Sequence, residues 1–298
     1  MTTQQTAVTQ YIAANGIKAA YRRLGPETGT PLVMMIHFRG NMDFWDPALI
    51  NALVKSRPII LLDYPGIGKS EGEIPLTFQG WAAHVVALVK ALGISEIDLL
   101  GFSMGGVAAQ YVPLNAPGLV RKLILAGTRT SITPNAVEAS GESFAALKDS
   151  VTEQEFKDSW ALSFFNDSAH GKAAAQASWD RIISRTEDRA PHLSVELAKR
   201  QTEAFMSSMM PKPENAYERI HELSMPVLVV NGDNDTLVPT ANSHELAQLL
   251  PFAEIHIYPN SGHGFLFQYA ELFAKHVDFF LMKRMRLRMP RKYKYLRD

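Results

Sequence analysis

The chain contains no cysteine. That excludes disulfides, thiolate metal sites and a cysteine nucleophile together, and it fits a reducing compartment. Neither sign of charge is in excess, since 30 Lys and Arg stand against 30 Asp and Glu. No global field therefore recommends nucleic acid or an anionic membrane as a partner. No apolar run approaches the ~20 residues needed to cross a bilayer. The opening MTTQQTAVTQ lacks the basic-then-apolar pattern of a secretory leader. These absences set the expectation of a cytoplasmic protein with no membrane span. One concentration of charge stands out, the basic C-terminal KRMRLRMPRKYKYLRD. It reads either as a solvated tail or as a contact for an anionic partner.

What is present suffices for a full core. Of the 298 residues 46% are hydrophobic, enough for one large domain carrying an insertion. PLVMMIHF (31–38) and RPIILLDY (57–64) are continuous apolar runs of strand length, the mark of strands buried on both faces. KAAYRRLG, EIDLLGFS, VRKLILAGT, MPVLVVNGD and AEIHIYPN add further strands. Helical spacing appears in FQGWAAHVVALVKALG (78–93), which stops at a C-cap glycine. GGVAAQYVPLNAPG reads as a helix that loses its pattern near Pro113. SHELAQLLP and AELFAKHVDFFLMKR complete the alternation. Alternating strands and helices predict a mostly parallel sheet with helices on both faces. From about 129 to 222 no strand-like run occurs, only helix-like, polar and Met-rich sequence. That stretch reads as a helical lid inserted between two strands, over the strand ends where open α/β sheets place their sites.

DYPGIGKSEG (63–72) raises the question of a nucleotide phosphate, because Gly68-Lys69-Ser70 is the tail of a P-loop. The leading glycine of that motif would fall at Asp63, a carboxylate, and no helix pattern starts at Lys69. A dinucleotide fingerprint fails too, since Glu71 stands at the third glycine. The nucleotide reading is set aside, and Lys69 is expected to be solvated.

GFSMG (101–105) is G-x-S-x-G between a strand and a helix. Ser103 there would sit on a strained turn, with a helix N-terminus aimed at the same spot and suited to an oxyanion. A serine hydroxyl needs a base, and the base needs an orienting carboxylate. Asp233 and Asp235 follow one strand, and His263 lies in a glycine-flanked loop after the next. His84, His244 and His276 fall on helix patterns, His256 on a strand, and His170, His192 and His221 in the 129–222 stretch; all read as structural or surface residues.

These segments carry a family resemblance. HFRGNMDFW, DYPGIGKS, GFSMGG, GDNDTLVP and NSGHG occur in the order, and at about the spacing, of the α/β-hydrolase fold superfamily. The resemblance covers nearly the whole chain apart from the 129–222 stretch and the basic tail. GFSMGG looks like the elbow of the haloperoxidase/perhydrolase and carboxylesterase-like branches. It implies a discontinuous core, 1–128 and 223–298, with a lid at 129–222. It also implies a Ser103, Asp235, His263 triad, Asp235 rather than Asp233 matching the family's acid loop. Relatives carry His-Gly-x at the oxyanion loop, whereas this chain has His37-Phe38-Arg39-Gly40. By position the amides should come from Met104 and Arg39, with Phe38 as fallback, and His37 should buttress the loop. Arg39 and Trp45 are placed at the pocket mouth.

Within the lid, Trp160, Trp179, Phe164, Phe165, Met206, Met209 and Met210 offer apolar surface for a small to medium hydrophobic substrate. Such a stripe is more often plain lid core than substrate wall. No metal or organic cofactor is implied. The activity implied is serine ester hydrolysis. Lactone, thioester or carbon–carbon bond cleavage and perhydrolysis on the same triad remain open, as does a non-catalytic receptor.

Overall fold

The structure, a computed structural model, describes residues 2–139 and 141–284. The basic C-terminal run lies, beyond Arg284, outside the described residues. Eight strands are present: β1 (Gln10–Ala14), β2 (Ile17–Leu24), β3 (Leu32–Met35), β4 (Ile59–Leu62), β5 (Ile97–Phe102), β6 (Val120–Ala126), β7 (Val227–Gly232) and β8 (Ala253–Tyr258). They form one sheet in the order β1-β2-β4-β3-β5-β6-β7-β8. β2 runs antiparallel to β1 and β4, and every other pairing is parallel. β3, β4 and β5 are buried at every position, which is why they read as unbroken apolar runs.

Helices α1 (Pro47–Leu53), α2 (Phe78–Ala91) and α3 (Met104–Asn115) join the first strands. Thr77 caps α2 by accepting from the Gly80 amide, and Gly93 past its end takes φ 71°. Pro113 does not stop α3, which continues to Asn115. In the last turn a proline forfeits only one backbone bond, so the helix ends just beyond it. β1 escaped the periodicity because a single one of its five residues is buried. A turn with Asn15 at φ 52° and Gly16 at φ 79° folds it back on β2.

Between β6 and β7 the chain forms α4 (Gly141–Asp149), α5 (Glu153–Phe164), α6 (Ala169–Ile183), α7 (Val195–Ser208) and α8 (Ala216–Arg219), with no strand among the described residues. α9 (Thr240–Leu249), α10 (Phe265–Gln268) and α11 (Ala270–Met282) complete the core. Among the described residues no helix is long and apolar enough to cross a membrane.

Charged pairs tie the inserted helices to the core. Asp46, the N-cap of α1, accepts from Arg181 Nε at 2.8 Å and Ser178 Oγ at 2.8 Å. Asp43 takes Arg22 and Arg185 on one oxygen and the Ala190 amide on the other. Lys69, expected as solvated, pairs with Asp188 at 3.0 Å. Asp63, standing where a P-loop needs glycine, accepts from the Met42 and Lys69 amides, both at 2.8 Å. The loop that resembled a phosphate cradle is thus closed on its own carboxylate.

Two buried groups near this loop make stability depend on pH in opposite senses. Burial pushes His84 down to about 4 and Asp63 up to about 7. Between about 4 and 6.5 the unfolded chain binds more protons than native His84, so its contribution is lost on acidification. Native Asp63 holds its proton over about 4 to 7, so its contribution is lost as pH rises. His84→Leu should therefore flatten the acid limb by up to about 1.4 kcal/mol per pH unit. Urea midpoints at several pH values check this, and an unaltered slope would count against a neutral buried His84.

Candidate active site

Ser103 joins β5 to α3 with φ 58° and ψ −124°, a conformation that costs an L-residue about 1–3 kcal/mol. The surroundings hold it there. Its amide donates to Ala126 O at 2.9 Å, while its carbonyl accepts from Thr128 Oγ1 at 2.7 Å and the Gly106 amide at 2.8 Å. The turn is possible because α3 leans directly on the sheet. A Cβ at Gly105 would collide with the Met35 and Ile36 carbonyls, and one at Gly101 would meet Ala109 Cβ at 2.6 Å.

His263 sits in the turn after β8. Asp233 shapes that turn by accepting from the Asn260 amide at 2.8 Å and the Ser261 amide at 3.0 Å. From the inserted helices Phe164 O accepts the Gly264 amide at 2.5 Å. Phe102 stacks on the imidazole, 4.9 Å between centroids. His263 Nδ1 lies 2.7 Å from Asp235 Oδ2, with both side chains fully buried. Asp235 Oδ1 accepts from the Leu237 and Val238 amides at 2.9 and 2.8 Å. A carboxylate so held accepts, so the Nδ1 proton belongs to His263 and Nε2 keeps its lone pair. Nε2 is buried and makes no hydrogen bond among the described residues. Ser103, Met104, Phe38 and His263 all line one cavity of about 200 Å³.

The family model described as alpha/beta hydrolase fold matches residues 31–269, from β3 to the start of α11. The chain belongs to the α/β-hydrolase family. A solved α/β-hydrolase fold protein from Chitinophaga pinensis superposes with a TM-score of 0.85. It is 33% identical, covering 95% of this chain and 100% of that one. The 2-hydroxymuconate semialdehyde hydrolase of Pseudomonas sp. (strain CF600) is 28% identical over 91% of this chain and 92% of its own. The 2-hydroxy-6-oxononadienedioate/2-hydroxy-6-oxononatrienedioate hydrolase 1 of Dechloromonas aromatica (strain RCB) is 29% identical over 75% of each chain.

Within this α/β-hydrolase, the His37–Gly40 loop departs from the positional expectation. The Arg39 amide donates to Gln201 Oε1 on α7 at 2.8 Å, and His37 Nδ1 is 2.8 Å from Phe38 O. Both ends of the Phe38–Arg39 peptide are thereby engaged, and Arg39 is absent from the cavity lining. The expectation that Arg39 supplies the amide is corrected, because its N–H is already bonded; the fallback, Phe38, is the residue on the cavity wall. Burial holds His37 neutral, pushing it down to about 3, in keeping with a buttress.

The Arg39 side chain is no mouth residue either. At φ 62° and fully buried, its guanidinium donates to Leu147 O at 2.7 Å, Ser150 O at 2.8 Å and Leu193 O at 2.6 Å. Arg39→Met would strand these carbonyls, each costing about 1–3 kcal/mol if unsatisfied. We expect a loss of about 3 kcal/mol in urea unfolding. Arg39→Lys should restore little of it, since three donors on one ammonium cannot reproduce the planar fork.

The pocket expectations divide. Phe164 lines the Ser103 cavity. Trp45 does not: it is wholly buried against Phe102 and Phe267. Trp160 stacks on Phe164 at 4.0 Å and borders a separate cavity of about 560 Å³. Met206 is 56% exposed and Met209 half-buried, and neither reaches the Ser103 cavity. The walls come instead from Val107, Phe144, Leu147, Phe205 and Leu237. Phe144 and Phe205 stood in the helix-like stretch, and no local pattern distinguished their faces.

Proposed function

We propose that the chain is a serine hydrolase that transfers an acyl group from an ester-like substrate to water. The observation that carries this reading is the His263–Asp235 bond of 2.7 Å, with Nε2 unpaired among the described residues and His263 lining the same cavity as Ser103. Ser103 Oγ attacks the carbonyl carbon as Nε2 takes its proton, and Asp235 stabilises the resulting imidazolium. The Met104 and Phe38 amides receive the oxyanion, each worth roughly 3–4 kcal/mol in comparable sites. Collapse expels the leaving group, protonated from Nε2. Water then gives its proton to Nε2 and its oxygen to the acyl carbon, releasing the acid and restoring Ser103. The helices of 129–222 act as the lid and supply Phe144, Leu147, Phe164 and Phe205 to a largely apolar wall, which favours a small substrate with a hydrophobic portion.

A second reading is hydrolysis of a carbon–carbon bond beside a carbonyl. It is favoured by the names of the Pseudomonas and Dechloromonas relatives, and it uses the same nucleophile or a base at the same place. One comparison separates the two: p-nitrophenyl esters of graded chain length against 2-hydroxymuconate semialdehyde. Turnover of the esters supports the first reading. Turnover of the semialdehyde alone moves the assignment to the second.

A further inference from the structure

Arg129 follows β6 by three positions and lines the Ser103 cavity, with its side chain only 9% exposed. Its backbone is fixed there because its carbonyl accepts from Gln110 Nε2 of α3 at 2.9 Å. Two residues with formal charge line this cavity, Arg129 and Glu138, and the other walls are largely apolar. Their pairing is poor. The nearest approach is 3.7 Å, beyond hydrogen-bond distance, and the Glu138 side chain is 69% exposed. Arg129 Nη2 is buried and has no hydrogen-bond partner among the described residues.

A buried guanidinium with an idle N–H is costly, since removing charge from water is unfavourable unless a partner replaces the solvent. Glu138, held in water, compensates weakly. Arg is also the side chain whose planar fork matches a carboxylate. We propose that Arg129 is the specificity residue of this site, and that the substrate is a carbonyl compound carrying a carboxylate beyond an apolar spacer. The spacer lies along Val107, Phe144 and Phe205, while the carboxylate displaces Glu138 and satisfies Nη2. The proposal deepens the hydrolase reading above and rests on it for the position of the scissile carbonyl.

The test uses two esters of equal length, p-nitrophenyl hexanoate and the mono-p-nitrophenyl ester of adipic acid, which replaces the terminal methyl by a carboxylate. The ratio of their kcat/KM values is the readout. Arg129→Gln should lower the anionic-to-neutral ratio by about 10- to 100-fold, the worth of a hydrogen bond to a charged group. Arg129→Lys should recover part of it. Because Arg129 is buried and its replacement can disturb folding, Glu138→Gln on the exposed side supplies the opposite sign. Removing the competing carboxylate should raise the ratio roughly two- to fivefold.

A binding arm needs no turnover. Monomethyl adipate titrated calorimetrically into Ser103→Ala should bind more tightly than into Ser103→Ala/Arg129→Gln, with the difference shrinking as salt rises. If neither ester is turned over but this difference persists, the hydrolase reading falls and the Arg129 site stands. Ratios unchanged in both variants, or binding that is absent or indifferent to Arg129, would overturn the proposal.

Discussion

Ser103→Ala should lower kcat by roughly 10⁴- to 10⁶-fold on whichever substrate proves productive. The substitution removes one oxygen and leaves the elbow intact. Alanine meets the same positive φ of 58° that serine does, and the bonds that pin residue 103 run through its backbone. Folding should therefore change little while chemistry collapses. Intact-mass analysis after a fluorophosphonate probe gives the complementary readout: one probe adduct on the wild type and none on the variant. Ser103→Gly sharpens the point. Glycine accepts positive φ without strain, so it should be as inactive as Ser103→Ala yet melt higher, by up to about 1 kcal/mol in stability. Equal labelling of wild type and Ser103→Ala would remove Ser103 as the nucleophile.

Asp235→Asn carries the second largest expectation, a fall in kcat of about 10⁴-fold with the fold retained. The direction follows from the donors around the side chain. The Leu237 and Val238 amides point at Oδ1, so an asparagine would turn its oxygen toward them and its NH₂ toward His263. Nδ1 could then only accept, which drives the ring proton to Nε2 and leaves no lone pair for Ser103. Activity in Asp235→Asn should recover at high pH more than in Ser103→Ala, because hydroxide can replace the missing general base. A pH–rate profile with the wild-type magnitude would refute the orienting role. Asp233 offers the contrast. It holds the Asn260 and Ser261 amides, so Asp233→Asn should act through the shape of the His263 loop, not through the tautomer.

Much of this molecule is legible locally. GFSMG announces the elbow because the requirements of that turn, small residues flanking a strained serine, are satisfied by neighbours in sequence. The buried strands announce themselves because both faces of a parallel sheet are covered, so polarity is absent along the whole run. β1 did not, since an edge strand exposed on most of its length carries no such pattern. The stretch from 129 to 222 could be recognised as helical but not resolved into walls and surface. Its short helices pack on several sides at once, so Met206 and Phe205 are neighbours in sequence with opposite fates.

The sequence by itself determined the buried strands of the sheet, the elbow and the chain order of Ser103, Asp235 and His263, because each depends on backbone conformation or on loops that end adjacent strands. Only the tertiary structure decided that the Arg39 amide is already engaged while Phe38 lines the cavity. That choice turns on Gln201, 162 positions from Arg39 in the chain, capturing the Arg39 N–H. It also decided that Arg129 stands buried with Nη2 unmatched among the described residues, in surroundings set by chain far from it. Contacts made across so much chain leave no local trace, since neither partner's neighbours constrain the other.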